Sequence, residues 1–170
     1  MRTASLGHRL HRLLRRVAPR RATRREPRPH AQYPGDFIGR STVLYDPIED
    51  DRPDPGEIVW TRVVFEEDYR LGKDRPVLVV GRDDPWVLAL MLTSKDHNHD
   101  ARDAAAEARH GRVWFDLGTG DWDPRHRPSE VRIDRVLRLD PAQVRREGAT
   151  LDRARFDQVA ARLRSVNGWR

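Results

Sequence analysis

The chain has 170 residues, carries 33 Lys and Arg against 27 Asp and Glu, and is 35% charged. This length suits one domain of ordinary size with a tail, and hardly two domains. The absence of Cys excludes a disulfide framework, thiolate chemistry and Cys-based zinc sites.

The positive charge is concentrated at the N-terminus. Residues 1–30 contain ten Arg and one acid, so the net charge of +6 divides into +9 there and −3 on the other 140 residues. We predict a mostly disordered or short-helical basic arm over residues 1–32, with a nucleic-acid or membrane-surface contact as the functional alternative. No apolar run approaches the roughly 20 residues of a membrane span, and no secretory signal is evident. We therefore expect a cytoplasmic protein with no membrane partner.

The next segment, residues 33–54, is predicted to be an extended linker. Residues 33–56 hold four Pro and three Gly, and the stretch ends at the chain breaker Pro55–Gly56. Some of its side chains could dock against the following domain, namely those of Phe37, Ile38, Val43, Leu44 and Tyr45.

From Glu57 onwards, short apolar runs separated by turn signals predict a β-rich domain over residues 55–166. Strands are expected at residues 57–65, 76–80, 86–92 and 112–117, and at 130–139 either as one strand or as two with a bend. The run at 76–80 is apolar enough to be buried on both faces. Residues 101–109 could form a helical turn, and 141–146 a single turn. Such short strands favour a small barrel over a βαβ sheet.

The strongest helical pattern lies at the C-terminal end. Apolar residues recur at three- and four-residue steps over residues 151–166, and Asp152 falls in the first turn, where a carboxylate suits the helix dipole. Asn167–Gly168 ends the helix. The predicted fold is therefore mainly β, with one C-terminal helix covering the barrel.

Two short motifs offer chemistry at neighbouring strand ends. Arg75 stands where a loop meets the second strand, and Pro76 favours an extended backbone there that aims the guanidinium outward. Thr93 and Ser94 end the third strand with hydroxyls that could donate to a phosphate oxygen. Taken singly, a solvated Arg and strand-terminating hydroxyls are the favoured interpretations. In a meander, however, these two strand ends share one edge, so Arg75 and Thr93 are expected to converge.

Other polar clusters give weaker signals. The run from Asp96 to Asp100 could bind a divalent metal, or His97 could act as a base, but a polar loop is favoured. The acids at 66–68 are expected in a solvated loop, with a general base as the alternative. His126 to Glu130 is expected to be a loop terminus, with charge on a binding surface as the alternative. Trp60 and Trp114 are expected in the core, and Trp122 is the candidate for stacking on bases.

The order and spacing of these blocks resembles the MazF/PemK/Kid toxin family. The matching blocks are Pro55–Trp60, a loop with Gly72, Arg75–Val80, Leu90–Lys95 and the final strand and helix, Val131–Leu163. The resemblance covers about 110 residues and leaves the first 50 or so outside.

This resemblance implies an SH3-like barrel of the CcdB/PemK type that works as a homodimer and needs no cofactor or metal. It implies a toxin of a type II toxin–antitoxin system that cleaves single-stranded RNA, with an antitoxin that blocks the RNA groove. By position, the catalytic Arg falls on Arg75 and the catalytic hydroxyl on Thr93. The residues expected to bind substrate are Lys73, Ser94, Lys95, Glu66 and Arg70.

The sequence departs from the family in two places. Residues 97–129 are longer and more charged than the usual core, and residues 66–74 are acidic with only Arg70 and Lys73 as cations. These departures keep a second hypothesis open, a non-catalytic barrel that binds nucleic acid or a partner protein.

Overall fold

A computed structural model describes residues 33–50, 52–97 and 99–170, apart from the side chains of residues 146 and 147. The predicted basic arm, residues 1–32, lies outside the described residues. The elements follow in the order β1 (Glu57–Val64), β2 (Gly72–Asp83), β3 (Trp86–Thr93), α1 (Ala101–Arg109), β4 (Trp114–Gly118), β5 (Ser129–Arg132), β6 (Leu137–Leu139), a 3₁₀ turn (Pro141–Gln143), β7 (Arg145–Thr150) and α2 (Arg153–Asn167).

The seven described strands form one antiparallel, curled half-barrel sheet in the order β4-β5-β3-β2-β1-β7, with β6 also paired to β3. Together with α2, this confirms the predicted mainly β fold with a C-terminal helix. Strand β6 pairs with Val87–Ala89 and β5 with Leu92–Thr93. The region predicted at 130–139 is therefore two strands with a bend.

The centre of the sheet is buried on both faces. Val77 to Val80 of β2 are each 0% exposed, as predicted for this run. One apolar cluster, here the first core, includes Leu78 and Leu90 and packs against α2 through Phe156, Val159 and Leu163. The second core lies on the other face and includes Val77, Met91 and Leu137. A slip of one residue would exchange the two faces, so burial on both sides holds the strand register.

Helix α2 is positioned by caps at both ends. The Asp152 carboxylate accepts a hydrogen bond from the Arg155 backbone N–H at 3.0 Å, and Gly168 closes the helix with φ 65°. The predicted start at residue 151 was therefore two residues early, because Asp152 caps the helix instead of lying in its first turn.

Two strand predictions need correction. Strand β2 begins at Gly72, not at Pro76, because Gly72 already pairs with Val64 and leaves only residues 65–71 as the hairpin loop. Strand β7 was missed altogether, since its sequence RREGAT lacks the apolar alternation of a strand. It forms because β1 offers it an open edge for backbone pairing.

The segment before the domain runs along it without helix or strand. The Leu44 backbone N–H donates to the Val80 carbonyl at 3.0 Å, and that of Val43 to the Arg170 carbonyl at 2.8 Å. Val43 is buried in the first core, whereas Ile38 and Leu44 are exposed. Of the apolar side chains expected to dock, that of Val43 therefore does so, whereas those of Ile38 and Leu44 remain exposed.

Close backbone approach explains the glycine in β7. A Cβ at Gly148 would overlap the carbonyl group of Ile58 on β1. We expect Gly148→Ala to lower the free energy of unfolding by about 1–3 kcal/mol, because either strand must move to admit the methyl group. Thr150→Ala, an exposed position on the same strand, should cost less than about 1 kcal/mol. Urea unfolding measures both, and equal losses would contradict the close approach.

Candidate active site

Arg75 and Thr93 meet at one end of the β2–β3 pair. Continuing the register Val77↔Met91 by two residues sets Arg75 beside Thr93. The Arg75 guanidinium donates to Thr93 Oγ1 over 3.4 Å, and the Lys95 backbone N–H donates to the same oxygen over 3.2 Å. The two side chains therefore converge as the meander argument predicted. Arg75 lies within β2 and not at a loop boundary, because the strand extends back to Gly72.

The pair belongs to a row of polar residues that crosses four strands. Thr61 of β1 pairs with Arg75, and Thr93 pairs with Glu130 of β5. Residues directly opposite each other in antiparallel strands project from the same face of the sheet. Thr61, Thr93 and Glu130 are 5%, 7% and 4% exposed. A polar band thus lies across one end of the second core.

Arg75 is the half-buried cation of this band. Burial lowers the pKa of its guanidinium. Within the described part of the chain, the bond to Thr93 is its one polar side-chain contact. By contrast, the buried guanidinium groups of Arg132 and Arg135 hold the carboxylates of Glu66 and Asp36. A half-buried guanidinium without a carboxylate favours an added anion.

The acids nearest to Arg75 in sequence pair with other residues. Asp74 forms an ion pair with Arg145 of β7. Glu66 forms two hydrogen bonds with Arg132 at 2.8 Å each, and this contact lowers the pKa of the Glu66 carboxyl group. Neither acid therefore neutralises Arg75.

A hollow of about 140 Å³ adjoins the Arg75–Thr93 pair, and Ser94, Arg127 and Trp60 contribute to its lining. It shares Trp60 and Arg127 with a wider groove of about 730 Å³, which Arg125 and Arg145 also line. Three carboxylates, those of Asp74, Asp121 and Asp123, lie along the same groove. The surface is therefore mixed in charge, with an indole available at the junction of hollow and groove.

The roles of two tryptophans are exchanged relative to the sequence prediction. Trp122, expected in an open loop, is 3% exposed in the first core, because the loop after β4 folds inward. Its indole N–H donates to Ser129 Oγ at 3.2 Å, and its carbonyl accepts from the Trp60 indole at 3.1 Å. Trp60, expected in the core, is only partly buried and lines the groove.

The other residues expected to bind substrate are scattered. Ser94 lines the hollow, and Lys73 and Lys95 are exposed beside it in sequence. Glu66 and Arg70 do not line the hollow; Glu66 holds Arg132, and Arg70 holds Asp68 at 2.8 Å. The sequence patterns do not predict that Arg127 and Arg145 line one groove, because only the folded loop after β4 and strand β7 bring them together.

The cluster at 96–100 is also divided by the fold. His97 contacts Glu130 at 3.0 Å, whereas His99 contacts Asp96 at 3.3 Å and is largely exposed. Over residues 33–50, 52–97 and 99–170, no three His, Asp or Glu side chains gather as metal ligands. None of the helices within those ranges is long and apolar enough to cross a membrane.

Comparison with known proteins decides the family. The model of the family described as PemK-like, MazF-like toxins of type II toxin–antitoxin systems matches residues 54–166. This chain belongs to that family. The PemK-like segment includes Arg75, Thr93, Glu130 and the whole groove. A search of curated proteins found no match.

Among solved structures, the chain is similar to one from a crystal structure of MazE–MazF (form II) from Deinococcus radiodurans. The two sequences are 19% identical, and the TM-score is 0.46. The match covers 68% of this PemK-like chain and 96% of the other.

The Glu66–Arg132 pair makes stability depend on pH. Because Arg132 lowers the Glu66 pKa below its usual 4.5, the stabilisation is fully present above that value. It is lost as the pH falls through the lower folded-state pKa. We expect Glu66→Gln to lower the free energy of unfolding by on the order of 1 kcal/mol at neutral pH, after allowance for solvent screening. The variant should also lose less stability than wild type as the pH falls.

Glu67→Gln is the matched control, because Glu67 is largely exposed and its ion pair with Arg112 is long at 4.0 Å. Urea unfolding between about pH 3 and pH 7 should separate the two variants. Identical profiles would show that the contact of Glu66 with Arg132 does not contribute to stability.

Proposed function

We propose that this chain is the toxin of a type II toxin–antitoxin system and acts as a metal-independent endoribonuclease on single-stranded RNA. The observation that carries the proposal is the half-buried guanidinium of Arg75. It contacts the Thr93 hydroxyl group and, among the described residues, no carboxylate. It lies within the segment that matches the toxin family.

The proposed reaction uses the RNA itself as nucleophile. The 2′-hydroxyl loses its proton to a base as its oxygen attacks the adjacent phosphorus, the bond from phosphorus to the 5′-oxygen breaks, and a cyclic phosphate and a 5′-hydroxyl result. Arg75 stabilises the charge of the pentavalent phosphorane and protonates the leaving 5′-oxygen; burial, by lowering its pKa, favours this donation. Thr93 donates a hydrogen bond to a phosphate oxygen. DNA is not cut, because it lacks the 2′-hydroxyl.

The groove next to the pair is the proposed path of the strand. Trp60 offers an indole on which a base can stack. Arg127 and Arg145 pair with Asp123 and Asp74, but about half of each side chain is exposed and offers further N–H donors to phosphates. Ser94, Lys73 and Lys95 are proposed contacts beside the reacting phosphate. Glu66 and Arg70 are assigned no contact, since neither lines the hollow or the groove.

The family also suggests the protein partners. We propose that a cognate antitoxin blocks this groove and that the toxin forms a homodimer. Light scattering of the purified chain tests the dimer, and co-purification with the product of an adjacent small reading frame tests the antitoxin.

The decisive variant is Arg75→Ala. We expect it to lower kcat for RNA cleavage by about 10²–10³-fold, because the phosphorane loses its main charge stabilisation. The matched control is Arg162→Ala, which removes the same charge from an exposed position on α2. Cleavage of a mixed RNA pool in the presence of a chelator, with mapping of the product ends, measures the effect. If wild type and Arg75→Ala leave the pool equally intact, the chain is no ribonuclease.

A second variant tests the path of the strand. Arg127→Ala should raise KM with little change in kcat, because the groove is proposed to bind RNA away from the reacting phosphate. It should also reduce the slope of log affinity against log salt by about 0.7, the value for one phosphate contact on a single strand. Arg109→Ala, at the end of α1, is the control. An unchanged KM and salt slope would place the RNA elsewhere.

The three carboxylates of the groove favour one other candidate, a non-catalytic barrel that binds a partner protein or nucleic acid, DNA included. Asp74, Asp121 and Asp123 would repel a phosphate backbone and suit a basic peptide. This candidate predicts binding without cleavage in the same RNA assay. Growth arrest on expression of wild type but not of Arg75→Ala would exclude it.

A further inference from the structure

A buried carboxylate lies next to the Arg75–Thr93 pair and contacts a histidine side chain. Glu130, 4% exposed, is the β5 partner of Thr93. Its Oε2 accepts the His97 backbone N–H at 2.9 Å and lies 3.0 Å from His97 Nδ1. Its Oε1 has no hydrogen-bond partner among the described residues. A buried carboxylate oxygen without a donor costs stability, so its retention calls for a functional explanation.

The imidazole of His97 is held in one orientation. Its ring stacks on Trp114 with centroids 4.0 Å apart and planes 5° apart. Trp114 is held in turn by its indole N–H, which donates to Glu107 of α1 at 2.9 Å. The His97 side chain remains 15% exposed, so one edge of the ring meets solvent.

The hydrogen bonds of His97 select which nitrogen is free. Oε2 of Glu130 acts as an acceptor, since the backbone N–H already donates to it. A neutral imidazole that donates Nδ1–H to this oxygen leaves the lone pair on Nε2. A carboxylate that orients an imidazole in this way creates a base.

The strand order places this base on the far side of Thr93 from Arg75. Neighbouring strands lie about 4.8 Å apart, so Glu130 is one strand from Thr93 and two strands, roughly 10 Å, from Arg75. The His97 ring lies on the β5 side of Thr93, opposite to Arg75. A phosphate bound to Thr93 on this face of the sheet would therefore have the Arg75 guanidinium on its β2 side and the His97 imidazole on its β5 side.

We propose that His97 is the general base of the proposed cleavage reaction and that Glu130 positions it. This inference rests on the proposed ribonuclease function. The 2′-O–H proton passes to His97 Nε2 as the bond from the 2′-oxygen to phosphorus forms. The bond to the 5′-oxygen breaks, and that oxygen takes its proton from Arg75. Solvent then removes the proton from His97 and restores the one lost by Arg75.

The charged groups around the ring determine its response to pH. Glu130 faces it from β5, and Glu107 interacts with it from α1. The Arg132 guanidinium lies 5.9 Å from the centroid of the Trp114 ring against which His97 stacks. In wild type, kcat/KM should fall on the acid side as the imidazole takes up a proton and can no longer accept one.

The first test replaces His97. His97→Gln should lower kcat by about 10²-fold or more and abolish the acid limb of the pH profile. His99→Gln is a matched control, since His99 also contacts a carboxylate but is largely exposed. Rates are normalised to the fraction folded in urea unfolding. A His97→Gln enzyme with the wild-type rate, or with a lower rate and the same acid limb, would overturn the proposal.

The second test concerns Glu130 as a positioning residue. Glu130→Gln removes the negative charge beside the imidazole and so disfavours its protonated form. We expect a smaller loss of kcat than for His97→Gln and an acid limb displaced to lower pH. A purely structural role would leave the limb in place, and that result would remove Glu130 from the mechanism.

A third test separates base from acid. A substrate with sulfur in place of the 5′-oxygen has a leaving group that needs no proton. The deficit of His97→Gln should persist on this substrate, whereas that of Arg75→Ala should shrink. Disappearance of the His97→Gln deficit would make His97 the acid and overturn the proposal. If wild type cuts neither substrate, the ribonuclease function itself fails, whereas a failure confined to His97 variants leaves that function intact.

Discussion

The register between β2 and β3 is the constraint on which the candidate site depends. Both strands are buried on both faces, so a slip of one residue would exchange the side chains of the two cores and disrupt the packing of both. That register sets Arg75 beside Thr93, and the next pairing sets Thr93 opposite Glu130. The apolar residues of the two cores therefore align three polar side chains that are distant in the chain.

Charge pairing explains how a mildly acidic domain can present a cation. Arg132, Arg135 and Arg138 each hold a carboxylate: that of Glu66 in the hairpin loop, that of Asp36 in the segment before the domain, and that of Asp83 at the end of β2. Arg75 differs from them, because the nearby Asp74 is drawn to Arg145 on β7. The net charge of the domain is thus a poor guide to the potential at its site, which depends on which charges are neutralised locally.

The long segment between β3 and β5 builds much of the surroundings of the site. It supplies His97 and Trp114 on one side of the polar band, and on the other the loop that buries Trp122 and brings Arg127 to the groove. Sequence patterns predicted a helical turn at 101–109 and a strand at 112–117 in this segment, but not the contacts that its loops make. The contacts of Trp122 with Trp60 and of His97 with Glu130 are made by single residues without periodicity, so no local pattern could predict them.

The sequence by itself determined the two-sided burial of β2, the helical period of α2, and the convergence of Arg75 with Thr93 in a meander. Tertiary structure alone decided the rest. Strand β7 exists because β1 has a free edge, the two tryptophans exchange places because a loop folds inward, and Glu130 meets His97 because β5 pairs with the end of β3. Pairing between distant segments depends on backbone edges and on the space left by other elements, and neither is written in the local order of residues.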